Sequence, residues 1–156
     1  MNLLPDFSSH RFLLVDDEPF LLETHERVLK RCKPGDIVTT GDGGSALRAI
    51  KDASTRFDCI ITDFDMKPIN GLQLLSAIRL GVNPMIPRNQ PVIMLTGNLD
   101  ADVRAAAFQL DVNGFITKPV KPETLYRTIE QALQSPKQVM PIDFYRSVKL
   151  PVSKAA

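Results

Sequence analysis

The chain has 156 residues, 44% of them hydrophobic and 24% charged, and its 19 basic and 18 acidic side chains leave a net charge of +1. That length suits one domain with a sizeable core, and so even a charge balance gives no electrostatic footprint for nucleic acid or an anionic membrane. The two cysteines, Cys32 and Cys59, offer neither a disulfide framework nor metal-ligand spacing, and no apolar stretch is long enough for a signal peptide or a membrane span, so a cytoplasmic protein is expected.

The apolar pattern changes period repeatedly along the chain. "RFLLV" (11–15) is a continuous apolar run and predicts a buried strand. Pro19 suits the first turn of a helix, and Leu21, Leu22, Val28, Leu29 and Cys32 recur at helical spacing over 20–32. His25 within "THERVLKR" is placed on a solvated face of that helix, and Arg27, Lys30, Arg31 and Lys33 complement the dipole at its end. "DIVTT" (36–40) predicts a second strand, "GDGG" (41–44) a turn, and "SALRAIKDA" (45–53) a helix.

"DCIIT" (58–62) predicts the third strand and "GLQLLSAIRL" (71–80) a helix. The connection "GVNPMIPRNQ" (81–90) exceeds the usual length of about 2–6 residues and is expected to be a spacer, with a partner surface as the alternative. "PVIML" (91–95) predicts the fourth strand. A helix over 100–110 has Asp100 as its N-cap, "GFIT" (114–117) is the fifth strand, and Pro122 opens a helix over 123–133. Residues 1–10 are an N-terminal extension and 11–134 the domain. Residues 135–156 are expected to be a flexible tail, the alternative being a docking segment that uses Phe144 and Tyr145. Strands alternating with helices predict right-handed βαβ units and a parallel sheet, an α/β fold.

The informative residues follow the strands. The first strand runs into Asp16 and Asp17, the third into Asp63, the fourth into Thr96 and the fifth into Lys118. In a parallel sheet all these ends share one edge, the edge at which open α/β sheets bind ligands. Three carboxylates gathered there repel one another: two unit charges about 4 Å apart at an effective dielectric near 20 cost about 4 kcal/mol. Either a pKa rises or a cation enters, and hard oxygen ligands suit Mg²⁺. Such a centre can receive a phosphoryl group, with Thr96 donating to its oxygens and Lys118 pairing its charge. Asp63 on the central strand is the candidate nucleophile.

The stretches "LLVDDE", "IITDFDMKPING", "VIMLTG" and "GFITKP" together resemble the receiver domain of two-component response regulators over about residues 11–134. The resemblance implies a flavodoxin-like, doubly wound, five-stranded parallel sheet in the order 2-1-3-4-5. It implies phosphotransfer to Asp63 from a sensor histidine kinase or a histidine phosphotransfer protein, with Mg²⁺ held by Asp16, Asp17, Asp63 and the backbone carbonyl of Asp65. Lys118–Pro119 matches the family's Lys-Pro, whose peptide bond is usually cis. Thr96 and Phe115 match the switch pair, so the face formed by the fourth helix, fifth strand and fifth helix is expected to change its affinity for a downstream target protein. Phosphorylation-dependent homodimerisation is one form of that output. Asp65 and Asn98 match positions that tune phosphoryl lifetime.

One departure is Lys67 where the family has Pro, with Pro68 a place later; it bears on the path of the loop. No residues remain for an output domain, so a single-domain switch is expected, without direct contact to nucleic acid or membrane. Two rivals are a phosphatase of the haloacid dehalogenase type, using the DxD at Asp63 and Asp65, and a receiver-like binding module that is never phosphorylated.

Overall fold

The structure, a computed structural model, describes residues 3–54, 56–98 and 100–151. Five strands, β1 (Arg11–Val15), β2 (Asp36–Thr40), β3 (Cys59–Asp63), β4 (Val92–Thr96) and β5 (Gly114–Thr117), form one all-parallel sheet in the order β2-β1-β3-β4-β5. The helices are α1 (Pro19–Lys30), α2 (Gly43–Asp52), α3 (Gly71–Leu80), α4 (Ala101–Gln109), α5 (Pro122–Gln134) and a short α6 (Ile142–Arg146). The doubly wound architecture expected from the sequence is the one observed.

Successive residues of the inner strands feed opposite cores, as the two-residue period of a strand requires. Leu13, Ile60, Val92 and Met94 pack with α2, α3 and α4. Phe12, Leu14, Cys59, Ile61, Ile93 and Leu95 pack with α1 and α5. Helices therefore cover both faces, which is why β3 and β4 are buried throughout, while the edge strands β2 and β5 are only partly so.

Helix boundaries follow their caps. Asp42 accepts from Ser45 N at 2.7 Å, so α2 starts two residues before the expected position, inside "GDGG". Asp100 caps α4 as expected, accepting from Asp102 N at 2.9 Å. Asn70 and Gln73 form a reciprocal capping box on α3. His25 departs from expectation: it is 8% exposed and lies on the inner stripe of α1 between Leu22 and Leu29. Burial lowers its pKa, Lys118 acts in the same direction and Asp16 opposes.

The described residues on either side of 11–134 pack onto that domain. Phe7 is 2% exposed, belongs to the α1–α5 core and donates its amide to Cys32 O at 2.8 Å. Of the segment expected to be a flexible tail, the described residues 135–151 pack against α3 through α6, with Tyr145 1% exposed in the opposite core; residues 152–156 lie outside the described residues. This cover explains why α3 buries Leu72, Leu74, Leu75, Ile78 and Arg79 around most of its circumference.

The long 81–90 connection is built around Arg79, which is fully buried. Its guanidinium donates to the carbonyls of Leu110, Arg88, Gln90 and Asp111 at 2.7–2.9 Å and to Asn113 Oδ1 at 3.1 Å. Burial lowers its pKa to about 10, which leaves it charged at neutral pH.

Candidate functional site

The residues after β1, β3, β4 and β5 gather at the C-terminal edge of the sheet because hydrogen bonding continues past the strand ends. Asp16 N donates to Thr40 O, Phe64 N to Leu95 O, and Lys118 N to Thr96 O, at 2.8–3.2 Å. Asp63 and Thr96 are themselves the last residues of β3 and β4, one position beyond the predicted ends. Gly71 closes the floor: a Cβ there would lie 2.6 Å from Asp63 O and 3.0 Å from Phe64 Cα, so only glycine lets α3 start this close to the Asp63 backbone.

Lys118 organises the cluster. Its Nζ lies 2.9 Å from Asp63 Oδ1 and 3.5 Å from Asp16 Oδ2. The other Asp16 oxygen accepts from Glu18 N at 2.9 Å, which fixes the carboxylate in a tight turn. Asp16 and Asp63 are 3% and 5% exposed, whereas Asp17 is open to solvent. Burial pushes the Asp63 carboxyl up to about 6; Lys118 pulls it down, and Asp16 and Asp17 push it further up. For Lys118, burial works against the charge, but Asp63 and Asp16 outweigh it and leave the pKa above its ordinary value.

One carboxylate oxygen each from Asp16, Asp17 and Asp63 lies within 4.8 Å of the others. All three are hard oxygen donors, two are buried, and their shared negative charge exceeds what Lys118 alone can offset. That donor set fits Mg²⁺. A crevice of about 420 Å³ opens over them, lined by Asp17, Glu18, Leu21, Asp63, Asp65, Lys67, Gly97 and Lys118.

The sequence-predicted residues are therefore not equally placed. Asp16, Asp17, Asp63 and Lys118 converge, and Asp65 lines the mouth. Thr96 is 1% exposed, and its hydroxyl accepts from Asn98 N at 2.8 Å. Phe115 lies apart and half-buried, its ring 6.1 Å from Phe108, with the Arg104 guanidinium 5.5 Å above it. The Lys118–Pro119 peptide is cis, as is Lys67–Pro68. Glu18 and Gly97 at the crevice, and Arg104 beside Phe115, were not singled out from the sequence; Glu18 and Gly97 each adjoin or nearly adjoin a residue that was.

Comparison with known proteins gives a consistent picture. The family model of the response regulator receiver domain matches residues 12–130. The chain is 34% identical over 123 residues to the transcriptional regulatory protein GlrR of Escherichia coli (strain K12), covering 78% of this chain and 26% of that protein. It is 33% identical over 121 residues to the two-component response regulator ORR24 of Oryza sativa subsp. japonica, covering 78% and 18%. The chain thus spans about a quarter or less of these relatives. Among solved structures, a response regulator receiver domain protein from Clostridium thermocellum superposes with a TM-score of 0.71 at 26% identity, covering 80% of this chain and 94% of that one. The chemotaxis response regulator CheY4 of Vibrio cholerae gives 0.69 at 27% identity, covering 80% and 98%.

Proposed function

Because the chain belongs to the response regulator receiver family of two-component signalling, we propose that it is a phosphorylation switch with Asp63 as the acceptor. The observation that carries this reading is the contact of Lys118 Nζ with Asp63 Oδ1 at 2.9 Å, inside the carboxylate cluster and beside an open crevice. The donor is a phosphohistidine on a sensor histidine kinase or a histidine phosphotransfer protein. An Asp63 oxygen attacks phosphorus, the new O–P bond forms as the N–P bond breaks, and the imidazole leaves and takes up a proton.

Asp16, Asp17 and Asp63, with the backbone carbonyl of Asp65, would hold Mg²⁺, which supplies positive charge against the mutual repulsion of the carboxylates and the charge of the phosphoryl oxygens. Lys118 neutralises one phosphoryl oxygen. Thr96 leaves Asn98 N to donate to another, and Phe115 leaves the Arg104–Phe108 cluster as the α4-β5-α5 face changes. That face binds the downstream target or a second copy in its phosphorylated form. A cytoplasmic setting accords with a kinase donor; among the described residues no helix is long and apolar enough to cross a membrane. The haloacid dehalogenase reading loses support, since the matched family is the receiver and the acidic pair precedes the nucleophile strand instead of following it.

The test uses acetyl phosphate as donor, read by intact mass. The protein is expected to gain one phosphate in Mg²⁺ and none in excess EDTA. Release of many phosphates per chain would favour the phosphatase, and no uptake in either condition would favour the non-phosphorylated binding module. Lys118→Gln removes the cation that meets the developing phosphoryl charge. Its initial rate of uptake is expected to fall roughly 100-fold, the usual effect of deleting one preorganised donor, and a rate within a factor of three of wild type would deny Lys118 that role.

A further inference from the structure

Residues 139–151 grip the flank formed by α3 and α4. Tyr145 donates its hydroxyl to Asp111 Oδ2 at 2.6 Å, at the left-handed residue just past the end of α4 (φ 54°). The Tyr145 hydroxyl oxygen in turn accepts from Met140 N at 3.0 Å, and Arg88 Nη2 donates to Met140 O at 2.5 Å. Val139, Val148 and Leu150 pack on the α2–α3–α4 core. Further along, Lys149 and Pro151 face Asp102, Ala105, Ala106 and Gln109 of α4 across a cavity of about 340 Å³. With Ala101, Val103, Ala105, Ala106, Ala107 and Phe108, α4 is apolar or small at most of its positions, and it buries only Val103, Ala106 and Ala107.

The other end of α4 is wired to the candidate site by a ladder of side-chain to backbone hydrogen bonds. Thr96 Oγ1 accepts from Asn98 N at 2.8 Å, Asn98 Oδ1 from Asp100 N at 2.7 Å, and Asp100 Oδ1 from Asp102 N at 2.9 Å. Asp102 also borders the cavity shared with Lys149 and Pro151. A rotation of the Thr96 hydroxyl therefore removes the first rung of a ladder that ends where the C-terminal segment lies.

We propose that residues 139–151 are an in-cis ligand of the α3–α4 flank, holding α4 in its unmodified position, and that phosphorylation of Asp63 weakens their attachment. This rests on the Asp63 reading above. The coupling is reciprocal: if the phosphoryl group loosens the segment by some factor, loosening the segment favours the phosphorylated protein by the same factor. Freed residues 139–151 would uncover a strip of α4 and present Tyr145 to solvent, so the segment competes with any target that binds there.

Hydrogen exchange of the full chain, before and after treatment with acetyl phosphate and Mg²⁺, tests this, with intact mass reporting phosphate on the same samples. Exchange of 139–151 is expected to rise about fivefold or more on phosphorylation and to stay unchanged in Asp63→Asn. Tyr145→Phe keeps the ring in the core and removes only the hydroxyl bonds, so it should fold, raise exchange of 139–151 without phosphate, and raise the ratio of phosphorylated to unphosphorylated protein at the plateau in subsaturating acetyl phosphate roughly twofold to fivefold. Phosphate present with exchange unchanged overturns the inference and leaves the acceptor reading intact. Faster exchange in Tyr145→Phe with an unaltered plateau ratio overturns it as well, since the segment would then be merely structural. Failure of wild type to take up phosphate removes both readings together.

Discussion

Asp63→Asn is expected to take up no phosphate from acetyl phosphate in Mg²⁺ and yet to unfold at a higher temperature than wild type. The first effect follows from geometry. Asp16 commits one oxygen to Glu18 N and turns the other toward Lys118, and Asp17 is open to solvent, so neither combines burial with the 2.9 Å contact to Lys118 that Asp63 has. The second follows from burial of the carboxyl, which raises its pKa from 3.8 to about 6. Between those values the folded chain binds more protons than the unfolded one, so stability falls as pH rises through this window and stays low above it. Two units correspond to roughly 3 kcal/mol, an upper bound because Lys118 loses a partner when Asn replaces Asp.

A gain of about 1–3 kcal/mol at pH 7 in EDTA is therefore expected, disappearing below about pH 4 where both states of the wild-type group are protonated. Mg²⁺ should narrow the gap by stabilising the wild-type fold. Urea titrations at the two pH values, with and without the metal, measure this. Equal phosphate uptake by the variant would end the acceptor assignment. A variant no more stable than wild type at neutral pH would show that the carboxylate cluster is not strained.

Much of the site was legible because its residues occupy one kind of position. Asp16, Asp17, Asp63, Thr96 and Lys118 all stand where an apolar run stops, and parallel topology carries such positions to a common edge. The one-residue error at β3 and β4 has the same origin. Apolarity marks the strand in a sequence, but the ladder continues into polar residues, pairing Asp63 with Leu95 and Thr96 with Thr117. A histidine is polar enough to suit a solvated face, yet Leu22, His25 and Leu29 keep the three- and four-residue steps of a buried stripe, and spacing prevails over residue type. The C-terminal segment is legible only as the alternative reading, docking through Phe144 and Tyr145, and of the two rings only Tyr145 is buried. A five-residue helix after Pro141, held by one aromatic anchor, has no periodicity to read. Its acceptor Asp111 lies 34 residues away in the chain.

Arg79→Met is expected to cost about 3–5 kcal/mol, the exceptional end of single substitutions, and to lower the melting temperature by roughly 10 °C. In the sequence this residue resembles any charge near a helix C-terminus. In the structure its guanidinium satisfies the buried carbonyls of Gln90 and Leu110 and the part-buried carbonyls of Arg88 and Asp111 and side chain of Asn113. Methionine refills much of the volume but strands the buried carbonyls of Gln90 and Leu110, each costing about 1–3 kcal/mol when unpaired, and takes a donor from the part-buried carbonyls of Arg88 and Asp111. Lysine should fail almost as badly, because three donors on one nitrogen cannot span acceptors arranged for a planar fork. The damage should also travel. The Arg79 guanidinium holds Arg88 O at 2.7 Å, and Arg88 in turn holds Met140 O, so losing the guanidinium slackens the 81–90 connection, the end of α4 and the attachment of α6 together. Thermal melts and limited proteolysis of Arg79→Met and Arg79→Lys read both consequences. Cleavage between residues 135 and 151 should precede loss of the core, and a variant that melts within 2 °C of wild type would show that the long connection is held by something other than this side chain.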